Sequence, residues 1–166
     1  MLDYKTIIEK LDLKQHPEGG YFSETYRSDG IIPKDALGGS YSGDRNYSTL
    51  IYYLLNENDI SCFHRLLSDE TWHFYEGSSL LIYIIDNNGK LNVITLGNDI
   101  ENGEVFHTVI KAGCWFGAEL VDKSKYSLAG CTVAPGFHFD DFELADRSEL
   151  ISKYPQLEKI IIKLTK

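Results

Sequence analysis

The sequence predicts an all-β fold: a β-sandwich or closed double sheet with one short helix before it and two short helices after it. Three observations carry this. Between Gly20 and Asp146 about eight short segments are rich in β-branched and aromatic residues, among them YFSETYRS, YSTLIYYLL, SCFHRLL, TWHFYEG and EVFHTVIKAGCW. Such side chains suit a pleated, half-buried surface. Turn signals separate the segments at Asp29-Gly30, Gly38-Gly39, Asn56 to Asp59, Asn87-Asn88-Gly89, Gly97 to Gly103 and Pro135-Gly136. Helical spacing is confined to the two ends, which argues against an α/β sheet with helices between its strands.

Taken in order, the elements are these. Tyr4, Ile7, Ile8 and Leu11 recur at helical spacing, so a helix is read over 3–12, with Asp3 as its cap. His16-Pro17-Glu18-Gly19-Gly20 ends it and shapes the lead into the first strand, since glycine permits backbone that other residues resist. A pocket-rim or dimer-contact role for this loop is the weaker reading. The barrel is read over about 20–146. Residues 29–46 are Gly-rich and nearly aperiodic, and are expected to form a long mobile loop. Asn88-Gly89 between IYIID and KLNVITL predicts a hairpin. Leu150, Tyr154, Leu157, Ile161 and Leu164 recur at three and four, and Pro155 interrupts them. Two helices, over about 147–153 and 156–164, are expected to lay an aliphatic stripe on the outside of the sheets. A length of 166 residues suits one domain.

Composition excludes several classes. The net charge is −9 with no Lys/Arg cluster, the reverse of a phosphate-backbone footprint, so no nucleic-acid partner is expected. The longest apolar runs, such as LLIYII, are strand-sized, and no membrane partner is expected. The N-terminus MLDYKTIIEKL has no basic segment followed by an apolar one, which places the protein in the cytoplasm. Three cysteines without a CxxC pair (Cys62, Cys114 and Cys131) suggest neither a disulfide framework nor a cysteine zinc site.

Glu70-Thr-Trp-His73 and Glu104-Val-Phe-His107 are two ExxH pairs, the mark of helical dimetal sites. Both sit in β-patterned sequence, and four glycines lie between them (77, 89, 97 and 103). On a strand, residues three apart point to opposite faces. The pairs are therefore not read as a metal site, and His107 is read as an ordinary half-exposed strand histidine.

FHRLLSDETWHFYEG (63–77) holds the densest ligand-type chemistry. With a period of two, Cys62, His64 and Leu66 share one face, and Glu70, Trp72 and Phe74 share one after the turn at Ser68-Asp69. His64 and Glu70 can then converge while His73 points elsewhere. The spacing resembles the first cupin motif, His-x-His, three or four residues, Glu, six residues, Gly. Here it is His64-x-Leu66, then Glu70, then Gly77, with Leu66 in place of the second histidine. Pro135-Gly136 and His138 resemble a compressed second motif; strict counting lands on Asp140, and either residue could enter the pocket. HPEGGYF, the HR…E-x-WHFY-x-G run and APGF-x-F-x-DFEL together resemble a family of small single-domain cupins of mostly unassigned function, the cupin_5 type, over about 11–157. The resemblance implies a jelly-roll barrel (a double-stranded β-helix) like that of dTDP-4-dehydrorhamnose 3,5-epimerase, commonly a homodimer.

That fold encloses one cavity, for which the expected occupant is a small molecule, a sugar or sugar-nucleotide-like ligand bound without a cofactor. His64 is the candidate general base, with Glu70 or Tyr53 as partner acid, in epimerase- or isomerase-type chemistry. Trp72, Phe74 and Trp115 are candidate stacking walls. Arg27 is a candidate for a carboxylate or phosphate, and His138 or Asp140 complete the ligand contacts. In a second reading His64, Glu70 and His138 hold a divalent metal such as Fe, Mn or Zn. In a third, the domain binds its ligand without turnover.

Overall fold

Asp3 caps the first helix as expected, accepting a hydrogen bond from the Lys5 amide, and α1 runs Tyr4–Lys10. This computed structural model describes residues 3–57 and 59–166. Met1 and Leu2, in the stretch read as free of a leader, and Asn58, within the turn signal Asn56 to Asp59, lie outside the described residues. Thirteen strands and three further α-helices follow α1. They are β1 (Lys14–Gln15), β2 (Tyr21–Arg27), β3 (Ile31–Ile32), α2 (Lys34–Leu37), β4 (Arg45–Asn46), β5 (Thr49–Asn56), β6 (Ile60–Leu66), β7 (Asp69–Gly77), β8 (Leu80–Ile85), β9 (Leu91–Leu96), β10 (His107–Ile110), β11 (Trp115–Leu120), β12 (Tyr126–Ala134), β13 (Phe142–Leu144), α3 (Arg147–Lys153) and α4 (Glu158–Lys163). No helix is long and apolar enough to cross a membrane among the described residues.

The strands form two antiparallel sheets, a six-stranded one in the order β1-β2-β5-β12-β7-β10 and a five-stranded one in the order β13-β6-β11-β8-β9. This is the all-β jelly roll that the period-two patterning predicts. The Asn88-Gly89 hairpin joins β8 to β9, with Gly89 at φ 79°. Pro155 ends the first C-terminal helix and opens a 3-10 turn, after which α4 begins. Leu150, Tyr154, Ile161 and Leu164 pack with Phe63, Ile85 and Trp115 against the outside of the five-stranded sheet.

The ExxH pairs fall on antiparallel strands. His107 pairs with His73 across β10 and β7, and His73 Nε2 meets Thr132 Oγ1 at 3.1 Å, away from Glu70. His107 is exposed.

Residues 29–46 correct the expectation of a long structureless loop. Ile31 and Ile32 pair with Asn46 and Arg45. Arg45, 4% exposed, forms a two-pronged pair with buried Asp141, Nε to Oδ2 at 2.6 Å and Nη2 to Oδ1 at 2.5 Å. Tyr41 Oη donates to the Leu67 carbonyl at 2.9 Å. A buried guanidinium fork on a carboxylate is a strong, directional tie, and it fixes this excursion to the turn that precedes β13.

Candidate functional site

Aliphatic side chains including Leu80, Ile82, Leu96 and Ile110 fill one end of the space between the sheets. The other end is a cavity of about 220 Å³. Strand phase decides what faces it. Glu70 and Trp72 of β7, Ile51 and Tyr53 of β5, and Cys131 and Val133 of β12 alternate onto the inner face of the six-stranded sheet, and all line the cavity. His64 and Leu66 face them from β6. Phe22, Phe137, Phe139 and Phe142 add apolar aromatic wall, and His16 and Glu18 enter from the loop before β2.

Sequence reasoning treated that loop as strand punctuation; the structure makes it part of the site. Gly19 and Gly20 have φ of 118° and 66°, where side chains are strained. A Cβ on Gly19 would stand 2.1 Å from the Ile60 carbonyl oxygen, so only glycine lets the loop lie against β6. The Cys62 amide then donates to the Glu18 carbonyl at 2.9 Å. Glu18 is thereby turned inward and is 5% exposed. Its Oε1 accepts from Ser61 Oγ at 2.8 Å, and its Oε2 lies 3.2 Å from His64 Nε2 and 3.3 Å from His16 Nδ1. A one-residue bulge in β6, where pairing slips between Phe116 opposite His64 and Ala118 opposite Ser61, lets both residues reach the same carboxylate.

Hydrogen bonding fixes the state of His64. Its Nδ1 lies 2.8 Å from the Cys62 carbonyl oxygen, which only accepts, so Nδ1 carries a proton. The contact between Nε2 and Glu18 Oε2 then shares one further proton, held by either partner. His16 Nδ1 accepts from the Glu18 amide at 3.3 Å. Burial pushes the His16 pKa down, against the pull of Glu18, so its imidazole is neutral.

Glu70 is the opposite case. It is buried, and the loss of solvent together with the negative charge of Glu18 pushes its pKa up to about 8. At neutral pH it is a carboxylic acid and can donate a proton. The Trp72 indole N–H and the Cys131 thiol lie beside it, and the indole N–H completes no hydrogen bond.

The other expected site residues divide. Tyr53 lines the cavity, but its hydroxyl donates to the Gly19 carbonyl at 2.9 Å, and burial holds its pKa well above the ordinary phenol value. It ties down the Glu18 loop and is too weak an acid to serve as proton donor. Arg27 lines the outer end, but every guanidinium N–H is engaged: Nε and Nη2 with Glu24 at 2.8 and 2.7 Å, Nη1 with Asn46 Oδ1 at 2.9 Å, and Nη1 and Nη2 with the Phe137 carbonyl at 3.1 and 3.2 Å. No donor remains for an anion. Trp115 lies on the other face of β11 under the C-terminal helices, with the Arg65 guanidinium 4.6 Å from its ring centre. Phe74 packs into the filled end and does not line the cavity. Asp140 and His138 do not share a strand face. Phe139–Asp141 is a 3-10 turn capped by the His138 side chain, which leaves His138 at the mouth and Asp140 outside, accepting from Ser42 Oγ.

The set His64, Glu70 and His138 does not fit a metal. Both ring nitrogens of His64 are committed, and His138 is half exposed with Nδ1 accepting from the Asp140 amide. Among the described residues no three His, Cys, Asp or Glu side chains are arranged to hold a metal ion.

Residues 5–145 match the Cupin_5 family, described as Cupin superfamily (DUF985). An uncharacterized protein of Saccharomyces cerevisiae is 33% identical over 144 residues, 81% of this chain and 71% of that one. A solved protein of Shewanella oneidensis superposes with a TM-score of 0.91 at 38% identity, covering 100% of this chain and 99% of that one. A hypothetical protein from Leishmania major gives 0.89 at 30% identity, covering 99% of both. Oxalate decarboxylase from Bacillus subtilis, at 13% identity, TM-score 0.55 and 90% of this chain against 36% of its own, shares the fold alone.

Proposed function

The chain belongs to the Cupin_5 (DUF985) family of the cupin superfamily, and from that premise we propose that its cavity binds a small sugar-like carbonyl compound and moves a proton on the carbon next to that carbonyl. The reading is epimerase- or isomerase-type chemistry without a metal. One observation carries it: a single cavity holds a carboxylic acid, Glu70, and a carboxylate coupled to an imidazole, Glu18 with His64. Carboxyl groups driven to opposite protonation states serve as acid and base at one pH. Glu70 donates its O–H to the carbonyl oxygen. Glu18 Oε2 takes the proton from the adjacent carbon, the C–H electron pair moves into the enolate, and the proton is shared with His64 Nε2 until it returns. The cavity volume is below the range usual for drug-sized ligands, roughly 300–1,000 Å³, so it encloses a single ring and leaves a nucleotide outside.

Incubation with uncharged keto-hexoses in D₂O at pH 7, followed by proton NMR, is expected to show loss of the α-proton signal faster than in protein-free controls. Binding without any exchange would leave a ligand-binding module in place of an isomerase.

The protein is read as a cytoplasmic homodimer. Three free, buried thiols suit a reducing compartment. Tyr75 and Val109, exposed on the outer face of the six-stranded sheet, with Phe106 beside them, form the surface a second copy covers. Sedimentation velocity at micromolar concentration is expected to give twice the monomer mass, and a monomer throughout would remove this part of the reading.

A further inference from the structure

The charge and hydrogen-bond pattern of the cavity narrow the ligand class, an inference that rests on the carbonyl-binding reading above. The lining contains three carboxyl groups, Glu18, Glu24 and Glu70, and one guanidinium, Arg27. Arg27 has spent all its N–H groups on Glu24, Asn46 and the Phe137 carbonyl. A phosphate or carboxylate would therefore meet no free guanidinium and would face the Glu18 charge. Binding it would require breaking the Arg27–Glu24 pair, which is costly in a partly desolvated site.

The buried end offers donors instead. Trp72 is 1% exposed, and its Nε1–H, beside the Glu70 carboxyl, has no acceptor. A buried indole N–H normally finds a partner, because an unmade hydrogen bond costs its full desolvation. The neighbouring Glu70 is uncharged and carries an O–H with no protein acceptor among the described residues. Two donors side by side, with the acceptor missing, define a position for one oxygen.

We infer that the cavity is built for an uncharged ring ketone, whose oxygen accepts from both Trp72 Nε1–H and the Glu70 carboxyl, and that it rejects the matching anion. The aromatic wall of Phe22, Phe137 and Phe142 takes the ring's apolar face.

The test uses nitrogen-15-labelled protein and two probes on the same ring, tetrahydropyran-4-one and tetrahydropyran-4-carboxylate. The chain has two tryptophans, hence two indole N–H signals, and Trp115→Phe assigns them. The ketone is expected to move the Trp72 signal downfield along a saturable curve, while the carboxylate at equal concentration leaves it in place. In Glu70→Gln, whose amide still donates, the ketone is expected to bind within a few-fold of the wild type, and Trp72→Phe is expected to weaken it about tenfold, as loss of one hydrogen bond predicts. Equal or tighter binding of the carboxylate, or a Trp72 signal indifferent to the ketone, overturns the inference. Ketone binding without α-proton exchange overturns the isomerase reading alone. Exchange without discrimination against the carboxylate overturns this inference alone.

Discussion

Glu70→Gln is expected to be more stable than the wild type, by about 3 kcal/mol at pH 7 and by up to about 5 kcal/mol above pH 8, and no more stable near pH 4.5. The sign follows from proton counting. Glu70 has a pKa of about 8 in the folded chain, against 4.5 for an ordinary glutamate. Between those values the folded chain holds a proton that the unfolded chain has released, so stability falls as pH rises through the window. Below about pH 4.5 both states are protonated and nothing is lost; above about pH 8 the whole penalty is present. Glutamine has no proton to lose, and its advantage grows with pH accordingly. The groups that face Glu70 are Glu18, Cys131 and Trp72, and none of them is a cation. Urea titrations of both proteins at pH 4.5, 7 and 8.5 read the effect directly. If Glu70 were the ionised half of a structural ion pair, the glutamine variant would be less stable at all three. A carboxyl kept where it costs stability, and lacking a counter-charge, is the pattern of a functional group.

How far the sequence reached depends on whether the deciding interactions are local. The strands, the β8–β9 hairpin and the break at Pro155 were legible, because period-two patterning and turn chemistry act within a few residues. Residues 29–46 were not, because their order comes from Arg45 reaching Asp141, 96 positions away. The phase of FHRLLSDETWHFYEG placed His64, Glu70 and Trp72 on the cavity side and His73 away from it. The same argument could not place Trp115. Every residue of β11 is buried, one face by the core and the other by the C-terminal helices, so burial gives no alternation to read. Glu18 was missed because its position depends on two positive-φ glycines and on contacts with β6 that no periodicity reports. The signal that was available is HPEGG itself, a histidine and a carboxylate set against paired glycines at the mouth of a barrel.

Glu18 carries the largest destabilising effect expected in the molecule. Glu18→Ala is expected to cost about 3–5 kcal/mol, the range for breaking a buried charged pair by removing one partner. It leaves His64 Nε2 and Ser61 Oγ unpaired in a closed site. That loss alone would not separate a structural carboxylate from a catalytic one, and Glu18→Gln does. His64 keeps its Nδ1 proton on the Cys62 carbonyl, so its Nε2 can accept from the new amide, whose oxygen still accepts from Ser61. The fold is then retained to within about 1 kcal/mol, while the base is gone and α-proton exchange should vanish. Retained exchange would remove Glu18 from the chemistry. The substitution also takes away the charge that helps hold Glu70 protonated. The pKa of Glu70 should fall, and the stability gained by adding Glu70→Gln should be smaller in the Glu18→Gln background than in the wild type. Such non-additivity is what two interacting titratable groups in one cavity must show. Additive effects would mean that burial alone keeps Glu70 neutral, and that the two carboxyls do not act as a pair.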